Sequence, residues 1–253
     1  MIKFIALLPF IYALLFTLSI LSLCFRKIRK KYLPWALGLG MMMFICLTAI
    51  YFFPERFFTI DARPSENWEY KTRQTNTVIL FGFGYVMEDS SMKPGQSNSA
   101  LYKQAIANAG SFETLHLIMQ EGVMVAAHED SVSSYPFIRD SVRMHPHSPE
   151  IYINTLIAAK YAILKMDSMH LKRAVVYAHE MQLARAVYDL KRIAASNPRW
   201  CDMEFITPSI YNTPFEPNSV HPHTRSPESF FRREVLLSRP VEILWPLCCI
   251  QTP

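Results

Sequence analysis

The chain has 253 residues and a hydrophobic fraction of 51%, so it is long enough to hold one globular domain as well as membrane segments. Its net charge of +5 is matched by one cluster of five cations between residues 26 and 31, which leaves the rest close to neutral. This balance excludes the basic surface on which nucleic-acid binding depends, so we expect no nucleic-acid partner.

Two long apolar stretches stand at the beginning of the chain. Residues 2–25 contain only Lys3 as a charged residue, residues 34–53 contain none, and each could cross about 30 Å of hydrocarbon as a helix. A cleaved signal peptide is the alternative, but the first stretch is too long and no small-residue cleavage site follows it. The sequence therefore predicts a transmembrane hairpin over residues 1–53, with the lipid bilayer as a partner. Because cations near membrane ends stay in the cytoplasm, the remainder of the chain is expected on the extracytoplasmic side.

The segments after the hairpin alternate between apolar runs and helical periodicity. Residues 54–74 are polar and form a predicted linker. Residues 76–85 are a short apolar run that ends in glycines, as buried strands of parallel sheets do. The next predictions, in order, are a loop over 87–97, a helix over 99–109, a strand over 114–119 and, over 123–127, a continuation of that strand or a new one.

The second half of the chain repeats this alternation. Residues 130–149 are rich in Ser, His and Pro and are expected to be a long loop. After them the pattern predicts a helix over 152–166, a strand over 172–178, a helix over 180–196, a strand over 203–207, a loop over 208–227 and a helix over 228–237. Strands that alternate with helices favour a mostly parallel sheet with helices on both faces. We therefore expect a three-layer α/β domain over residues 75–240 and a C-terminal tail over 241–253.

Polar clusters follow the predicted strands at the points where they end. They lie at residues 82–89, 120–122 and 179–185. Ligands of parallel α/β sheets bind outside the carboxyl ends of the strands, near the point where the strand order reverses. The clusters therefore predict a binding cleft at that edge of the sheet.

Two glycines end the first strand. Gly82 and Gly84 would let the backbone approach a ligand closely and present N–H groups to an anion. Met87 stands where a dinucleotide-binding fingerprint has its third glycine, so that fingerprint is not met. A tight turn without a ligand is an equal alternative.

A polar face opens the helix predicted over 180–196. His179, Gln182 and Arg185 are three residues apart, which puts them on one face of a helix N-terminus, where a phosphate or carboxylate binds well. The alternative is a capped helix with an ordinary surface arginine. Glu121 could act as an acid or base or hold a cation, although isolated carboxylates are more often solvated loop residues.

The histidines and cysteines give no metal-binding pattern. Two H-x-H pairs, at 145–147 and 221–223, lack a third ligand at diagnostic spacing, and no C-x-x-C is present. We therefore predict no bound metal. Cys201 could pair with Cys248 or Cys249 in an oxidising compartment, and the alternative is that the cysteines are buried thiols.

Three segments, in this order, resemble the family of bacterial envelope proteins that includes YdcF, SanA and ElyC. The first is the glycine-ended strand over 78–84, with Pro-Gly-Gln-Ser after it at 94–97. The second is Asn154-Thr155, which opens a helix in the family. The third is the segment 175–187, where a strand turns into a helix that carries a His and an Arg-Ala pair. The two apolar stretches at the N-terminus are similar to ElyC in particular.

The resemblance covers roughly residues 75–239, and three positions depart from the family pattern. Residues 120–122 are Gln-Glu-Gly where the family has Ser-Gly-Gly. Tyr152 or Ile153 stands for the family's Ser, and Gln182 stands for its His. Activity that needs that histidine would depend here on a different residue.

The resemblance implies a Rossmann-like domain anchored in the bacterial inner membrane, in a family linked to envelope integrity, peptidoglycan assembly and lipid-carrier metabolism. One hypothesis is a cleft for a phosphorylated, polyprenyl-linked envelope precursor, with His179 or Glu121 as acid or base if there is turnover. Its ligand-binding residues would be Gly82, Gly84, Asn154, Thr155, Gln182 and Arg185.

Two other hypotheses stand beside this one. The second is a non-catalytic scaffold or regulator with a degenerate cleft, which the changed Ser and His positions favour. The third is an enzyme that acts on nucleotides or uses an adenine cofactor, which is disfavoured because nucleotides are scarce outside the cytoplasm. Enzymatic activity and the identity of any cofactor stay open, and envelope-assembly proteins are further candidate partners.

Overall fold

The computed structural model describes three stretches of the chain and a few isolated positions. The stretches are residues 63–129, 138–143 and 155–234, and the isolated positions are 35, 38, 41 and 42. For residue 129 and for 138–143 the description is of the backbone alone.

The chain divides into two compact units, Met1–Thr59 with Ser226–Pro253, and Ile60–Arg225. Apart from the four isolated positions, the predicted hairpin over 1–53 lies outside the described residues, as does the predicted tail over 241–253. In the part of the chain that the structure describes, no helix combines the length and the apolar character that crossing a bilayer requires.

Seven strands lie in the described part of the unit Ile60–Arg225. They are β1 (Thr77–Leu80), β2 (Val86–Glu88), β3 (Ser91–Lys93), β4 (Thr114–Met119), β5 (Ile138–Arg143), β6 (Arg173–Tyr177) and β7 (Glu204–Ile206). Five of them form a parallel sheet in the order β5-β4-β1-β6-β7, and β2 pairs with β3 as an antiparallel hairpin. Along the chain, β4 and β5 are added on one side of β1, and β6 and β7 are then added on its other side. This order is consistent with a Rossmann-like fold. The predicted α/β class with a parallel sheet is confirmed.

Helices precede, connect and follow the strands of the sheet. They are α1 (Trp68–Arg73), α2 (Gly95–Asn108), α3 (Glu121–Glu129), α4 (Thr155–Ser168), α5 (Glu180–Ala195) and α6 (Pro227–Arg233), and Pro222–Thr224 form a 3-10 turn. Helices α2 to α5 are the crossovers that parallel strands require, because a tight turn cannot return the chain to the same edge of a sheet. Helix α6 belongs to the other unit.

Apolar side chains of the sheet are buried on both of its faces. On one face Leu80 belongs to the same core cluster as Tyr102 of α2. On the other face Ile79 belongs to a cluster with Ala162 of α4 and Leu183 of α5. Because neighbouring residues of β1 point to opposite faces, the sheet is a middle layer between two layers of helices.

Two predicted elements near the second strand are wrong. Residues 123–127 lie in helix α3, and Val123 and Ala126 are buried three residues apart, which is the spacing of one helix face. The predicted loop over 130–149 contains β5. The sequence of β5, Ile-Arg-Asp-Ser-Val-Arg, has no apolar run, and β5 is the outermost strand on its side of the described sheet. An edge strand tolerates charged residues, so its pattern did not indicate a strand.

Two further segments hold more regular structure than the sequence predicted. The linker over 54–74 contains α1, whose Trp68 packs against the core. The loop over 87–97 contains most of the hairpin and the first residues of α2. Asp89 and Ser90 have positive φ angles of 48° and 63°, as both central residues of a tight two-residue hairpin require.

Candidate functional site

The order of the sheet reverses between β1 and β6. These strands are direct neighbours, with Leu80 opposite Tyr177, although four strands separate them in the chain. In parallel α/β folds ligands bind in the crevice outside the carboxyl ends at such a reversal, here called the switch point. The backbone that leaves β1 at residues 81–84 and the backbone that leaves β6 at His179 meet there. The predicted glycine and histidine motifs therefore lie at one place.

Three aromatic rings fill this place. The rings of Phe83 and His179 stack with centroids 3.8 Å apart, and Phe215 meets them edge-on at 5.4 Å and 4.5 Å respectively. Phe83 and His179 are almost completely buried, with exposed fractions of 2% and 0%. Phe215 belongs to residues 208–225, which we call the strap. The strap therefore covers the crevice with an apolar group.

The Gly82 N–H, one of the two predicted to face an anion, and the N–H of the residue after it both donate to side chains of the protein. The Gly82 N–H donates to Oε1 of Gln120 at 2.9 Å, and the Phe83 N–H donates to Oδ1 of Asn98 at 2.8 Å. The amide group of Asn98 also donates to the carbonyl oxygen of Gly84. Hydrogen bonds from Asn98 of α2 and from Gln120, which follows β4, thus fix the backbone after β1.

Gly84 provides room for the strap. Its φ angle is +71°, and a Cβ atom there would lie 2.6 Å from Oγ of Ser219 and would also collide with Thr224. Beside it, the Val220 N–H donates to the carbonyl oxygen of Tyr85 at 3.0 Å. The second glycine of the motif therefore serves a close approach between two segments of this chain.

A carboxylate of the strap caps the first helix after β1. Oε2 of Glu216 accepts a hydrogen bond from the Gln96 N–H at 2.7 Å, and Glu216 is 4% exposed. Pro94, at the N-cap position of α2, provides no side-chain cap. The negative charge of Glu216 therefore lies at the end of α2 that carries the positive half of the helix dipole.

His179 is the N-cap of α5. Its Nδ1 accepts a hydrogen bond from the Met181 N–H at 3.3 Å, and its carbonyl oxygen accepts one from the Gln182 N–H at 2.7 Å. Burial lowers the pKa of His179 to about 3, while the nearby backbone of Thr213 acts in the opposite direction. The imidazole is therefore neutral at physiological pH, as a ring nitrogen that accepts a hydrogen bond must be.

Arg185 lies in a buried ion pair. Its Nε is 3.7 Å from Oδ2 of Asp189, one helical turn further on, and the two side chains are 7% and 2% exposed. The helix is capped, as in the alternative stated for this motif, but its arginine is not at the surface. The guanidinium predicted to bind a ligand anion thus has a carboxylate of its own helix beside it.

Other polar side chains of α5, α4 and the strap form contacts near the start of α5. Nε2 of Gln182 donates to Oγ1 of Thr155 at 3.3 Å, so these two predicted residues do meet. Burial, His221 and the nearby Arg185 all lower the pKa of His223, which is about 4. The rings of His221 and His223 are 5.6 Å apart. Polar groups from α4, α5 and the strap therefore converge beside the aromatic cluster.

The two remaining predicted residues are placed differently. Glu121 is half-buried in the first turn of α3, at the end of β4, and β1 lies between β4 and β6 in the sheet. Asn154 lies outside the described residues. Cys201 is exposed with a free thiol, and its two candidate partners near the C-terminus are also outside the described part of the chain.

Four residues that shape the site did not stand out in the sequence. They are Asn98, Asp189, Phe215 and Glu216. Asp189 alone carried a signal, because it stands four residues after Arg185 in a predicted helix. Glu216 is 120 residues from the N–H group that it accepts from, and no local pattern indicates such a pair.

The described residues include no group of three or more His, Cys, Asp or Glu side chains placed to hold a metal ion. Comparisons with protein-family models, with curated proteins and with solved structures found no match. The resemblance to the envelope family therefore stays a prediction, and the functional argument rests on the geometry of the switch point.

Proposed function

We propose that this chain is a membrane-anchored protein of the bacterial cell envelope whose Rossmann-like domain is a non-catalytic scaffold or regulator. The anchor and the extracytoplasmic position of the domain rest on the two apolar stretches and the basic cluster between them. The envelope role rests on the resemblance over residues 75–239. The observation that carries the non-catalytic role is that the Gly82 N–H and the Arg185 guanidinium, both predicted to bind a ligand, contact other groups of the same chain.

These internal contacts leave a ligand little to gain. The Gly82 N–H already donates to Gln120, and Arg185 already lies beside Asp189. A ligand anion would have to break the hydrogen bond of Gly82 and separate the Arg185–Asp189 ion pair before it formed contacts of its own, and exchanging one polar contact for another changes the free energy little.

The low pKa of His179 also argues against catalysis. An efficient general acid or base has a pKa near the operating pH, whereas that of His179 is about 3. At neutral pH its ring has no proton to donate as an imidazolium. Its position between Phe83 and Phe215 suits packing and helix capping.

A second candidate function is the binding of a phosphorylated, polyprenyl-linked envelope precursor at the same crevice. The observation that favours it is the convergence of Thr155, Gln182, Arg185 and His223. In this case Gly82, Gly84 and Asn154 would complete the site after the strap moved away. A lipid-linked ligand would suit a domain tethered to the bilayer.

A ligand-binding experiment separates the two candidates. The purified 253-residue chain in detergent is heated with a polyprenyl phosphate, with sugar phosphates and with adenine cofactors, because a ligand that binds only the folded state raises the unfolding midpoint. The non-catalytic role predicts no shift with any of them. A shift that Arg185→Ala or the milder Gln182→Ala abolishes, and that Arg192→Ala on the same helix preserves, would instead establish the precursor-binding function.

The proposed orientation has its own test. Cys201 is exposed in the α/β unit, so a membrane-impermeant maleimide should label it in intact bacterial cells that express the chain. The variant Cys201→Ser is the control for labelling of other cysteines. Labelling that appears only after the cells are lysed would contradict an extracytoplasmic domain.

A further inference from the structure

The contact between Glu216 and α2 has the form of a bound anion. Oε2 of Glu216 accepts the Gln96 N–H at 2.7 Å, and the carboxylate packs against Gly95, where a Cβ atom would lie 2.8 Å from it. Gly95 has a φ of +71°, so the backbone approaches the carboxylate as closely as only glycine allows. The 14-residue helix that follows presents its positive end to this charge.

The carboxylate of Glu216 lies at a position where Rossmann-like folds bind a ligand. Helix α2 is the helix that follows β1, and in Rossmann-like folds the N-terminus of that helix holds the phosphate of a nucleotide or a related ligand. Carboxylate and phosphate oxygens are recognised by the same backbone N–H groups. Here the oxygen comes from the chain itself, from a strap residue far away in the sequence.

A second observation points to a ligand at the same turn. The hydroxyl group of Ser97, in the first turn of α2, is completely buried and has no hydrogen-bond partner among the described residues. Buried hydroxyl groups are normally satisfied, so the helix end offers more hydrogen bonds than Glu216 uses.

The strap holds the carboxylate in place through its own backbone. The Glu216 N–H donates to the carbonyl oxygen of Thr224 at 3.1 Å, and the Ser219 N–H donates to the carbonyl oxygen of Glu216 at 3.0 Å. Oγ1 of Thr224 donates to Oγ of Ser219 at 2.8 Å beside Gly84. Glu216 and the two residues that pack against Gly84, Ser219 and Thr224, therefore belong to one hydrogen-bonded segment.

We propose that Glu216 is an intramolecular latch that occupies a phosphate-binding site at the N-terminus of α2, and that its release exposes this site. The carboxylate excludes a phosphate both by filling the position and by charge repulsion. The inference goes beyond the scaffold role, because it gives the closed crevice a latent ligand of defined chemistry, a phosphate or pyrophosphate group.

The test compares latch variants of the whole chain in detergent. Inorganic pyrophosphate is titrated calorimetrically into wild type, Glu216→Ala and Thr213→Ala, the last being the control for a strap that is merely loosened. We expect Glu216→Ala to bind pyrophosphate at least tenfold more tightly than wild type and Thr213→Ala to behave as wild type. A parallel titration with a polyprenyl phosphate in mixed micelles shows whether the phosphate is favoured free or as a lipid headgroup.

Several results would overturn the latch. The first is that Glu216→Ala folds but binds no phosphate probe. The second is that wild type binds pyrophosphate as tightly as Glu216→Ala does. The third is that Thr213→Ala binds pyrophosphate as tightly as Glu216→Ala does. If Glu216→Ala does not fold, Glu216→Gln takes its place, because the amide keeps the volume and the hydrogen bond but loses the charge. The latch predicts intermediate affinity for Glu216→Gln, and a folded Gln variant with wild-type behaviour contradicts it. None of these results depends on the orientation of the domain or on the envelope role.

Discussion

The imidazole ring of His179 stacks on the ring of Phe83, with their centroids 3.8 Å apart and their planes 18° apart. Phe83 follows β1, His179 follows β6, and these two strands are the neighbours between which the sheet order reverses. His179 also caps α5 and touches Phe215 of the strap. One buried side chain therefore connects two strand ends, a helix start and the cover of the crevice.

Replacing His179 by Ala should destabilise the domain strongly. The variant loses a helix cap and a stacked, fully buried ring, which together are worth about 3 kcal/mol. The free energy of unfolding, measured in urea, gives the change. His170→Asn is the matched control, because His170 is exposed with a φ of 56°, a conformation that Asn tolerates. A loss below about 1 kcal/mol for His179→Ala would contradict the connecting role.

His179 should make the folded state more stable as the pH rises from about 3 to about 6.5. Burial lowers its pKa from 6.5 to about 3, so in this window the unfolded chain binds a proton that the folded chain does not. The free energy of unfolding then increases with pH across the window and levels off above it. His179→Asn keeps a capping side chain but does not titrate.

The stability difference between wild type and His179→Asn is therefore expected to be larger at pH 7 than at pH 4. Urea unfolding of both proteins at the two pH values gives this difference. His221 and His223, whose pKa values are also lowered by burial, are present in both proteins and largely cancel. An equal difference at both pH values would show that His179 is not the titrating group.

Removing one charge of the Arg185–Asp189 pair should destabilise the folded state more than removing both charges. Arg185→Met leaves the Asp189 carboxylate buried beside an apolar side chain, so we expect a loss of about 3–5 kcal/mol. The double variant Arg185→Met with Asp189→Leu removes both charges and should recover most of that loss. A double-mutant cycle in urea measures the coupling, and additive losses would mean that the two charges do not interact.

Two glycines near the switch point should respond differently to alanine. Gly84→Ala places a methyl group against Ser219 and Thr224 at a positive φ, so it should lower the unfolding free energy by about 1–3 kcal/mol. Gly82→Ala is the matched control, because its Cβ would have its nearest neighbour at 3.6 Å. Thermal and urea unfolding compare the two variants. Equal effects would mean that the strap does not constrain Gly84.

The predicted strands show where local sequence is sufficient. β1, β4 and β6 are largely apolar because most of their residues are buried, and β4 and β6 were predicted within one residue of their observed bounds. The run over 76–85 was predicted too long, because β1 ends at Leu80 and the apolar residues that follow are buried outside the strand. β5 lies at the edge and carries three charged residues in six, so its position depends on pairing with β4 and left no apolar signal. Helix α3 was mistaken for a strand because five apolar residues in a row fit both patterns.

Some features of the candidate site could likewise be predicted from local sequence, and others could not. The sequence alone determined that glycines and a histidine end two parallel strands, because strand ends and helix starts are set by neighbouring residues, and parallel strands bring their carboxyl ends to one edge. Only the tertiary structure decided what these groups do. Asn98, Phe215 and Glu216 reach the switch point from other segments, and the burial of the Arg185–Asp189 pair, unlike its helical spacing, comes from tertiary packing. Burial and long-range packing, which no local pattern encodes, turned an expected open anion site into a closed one.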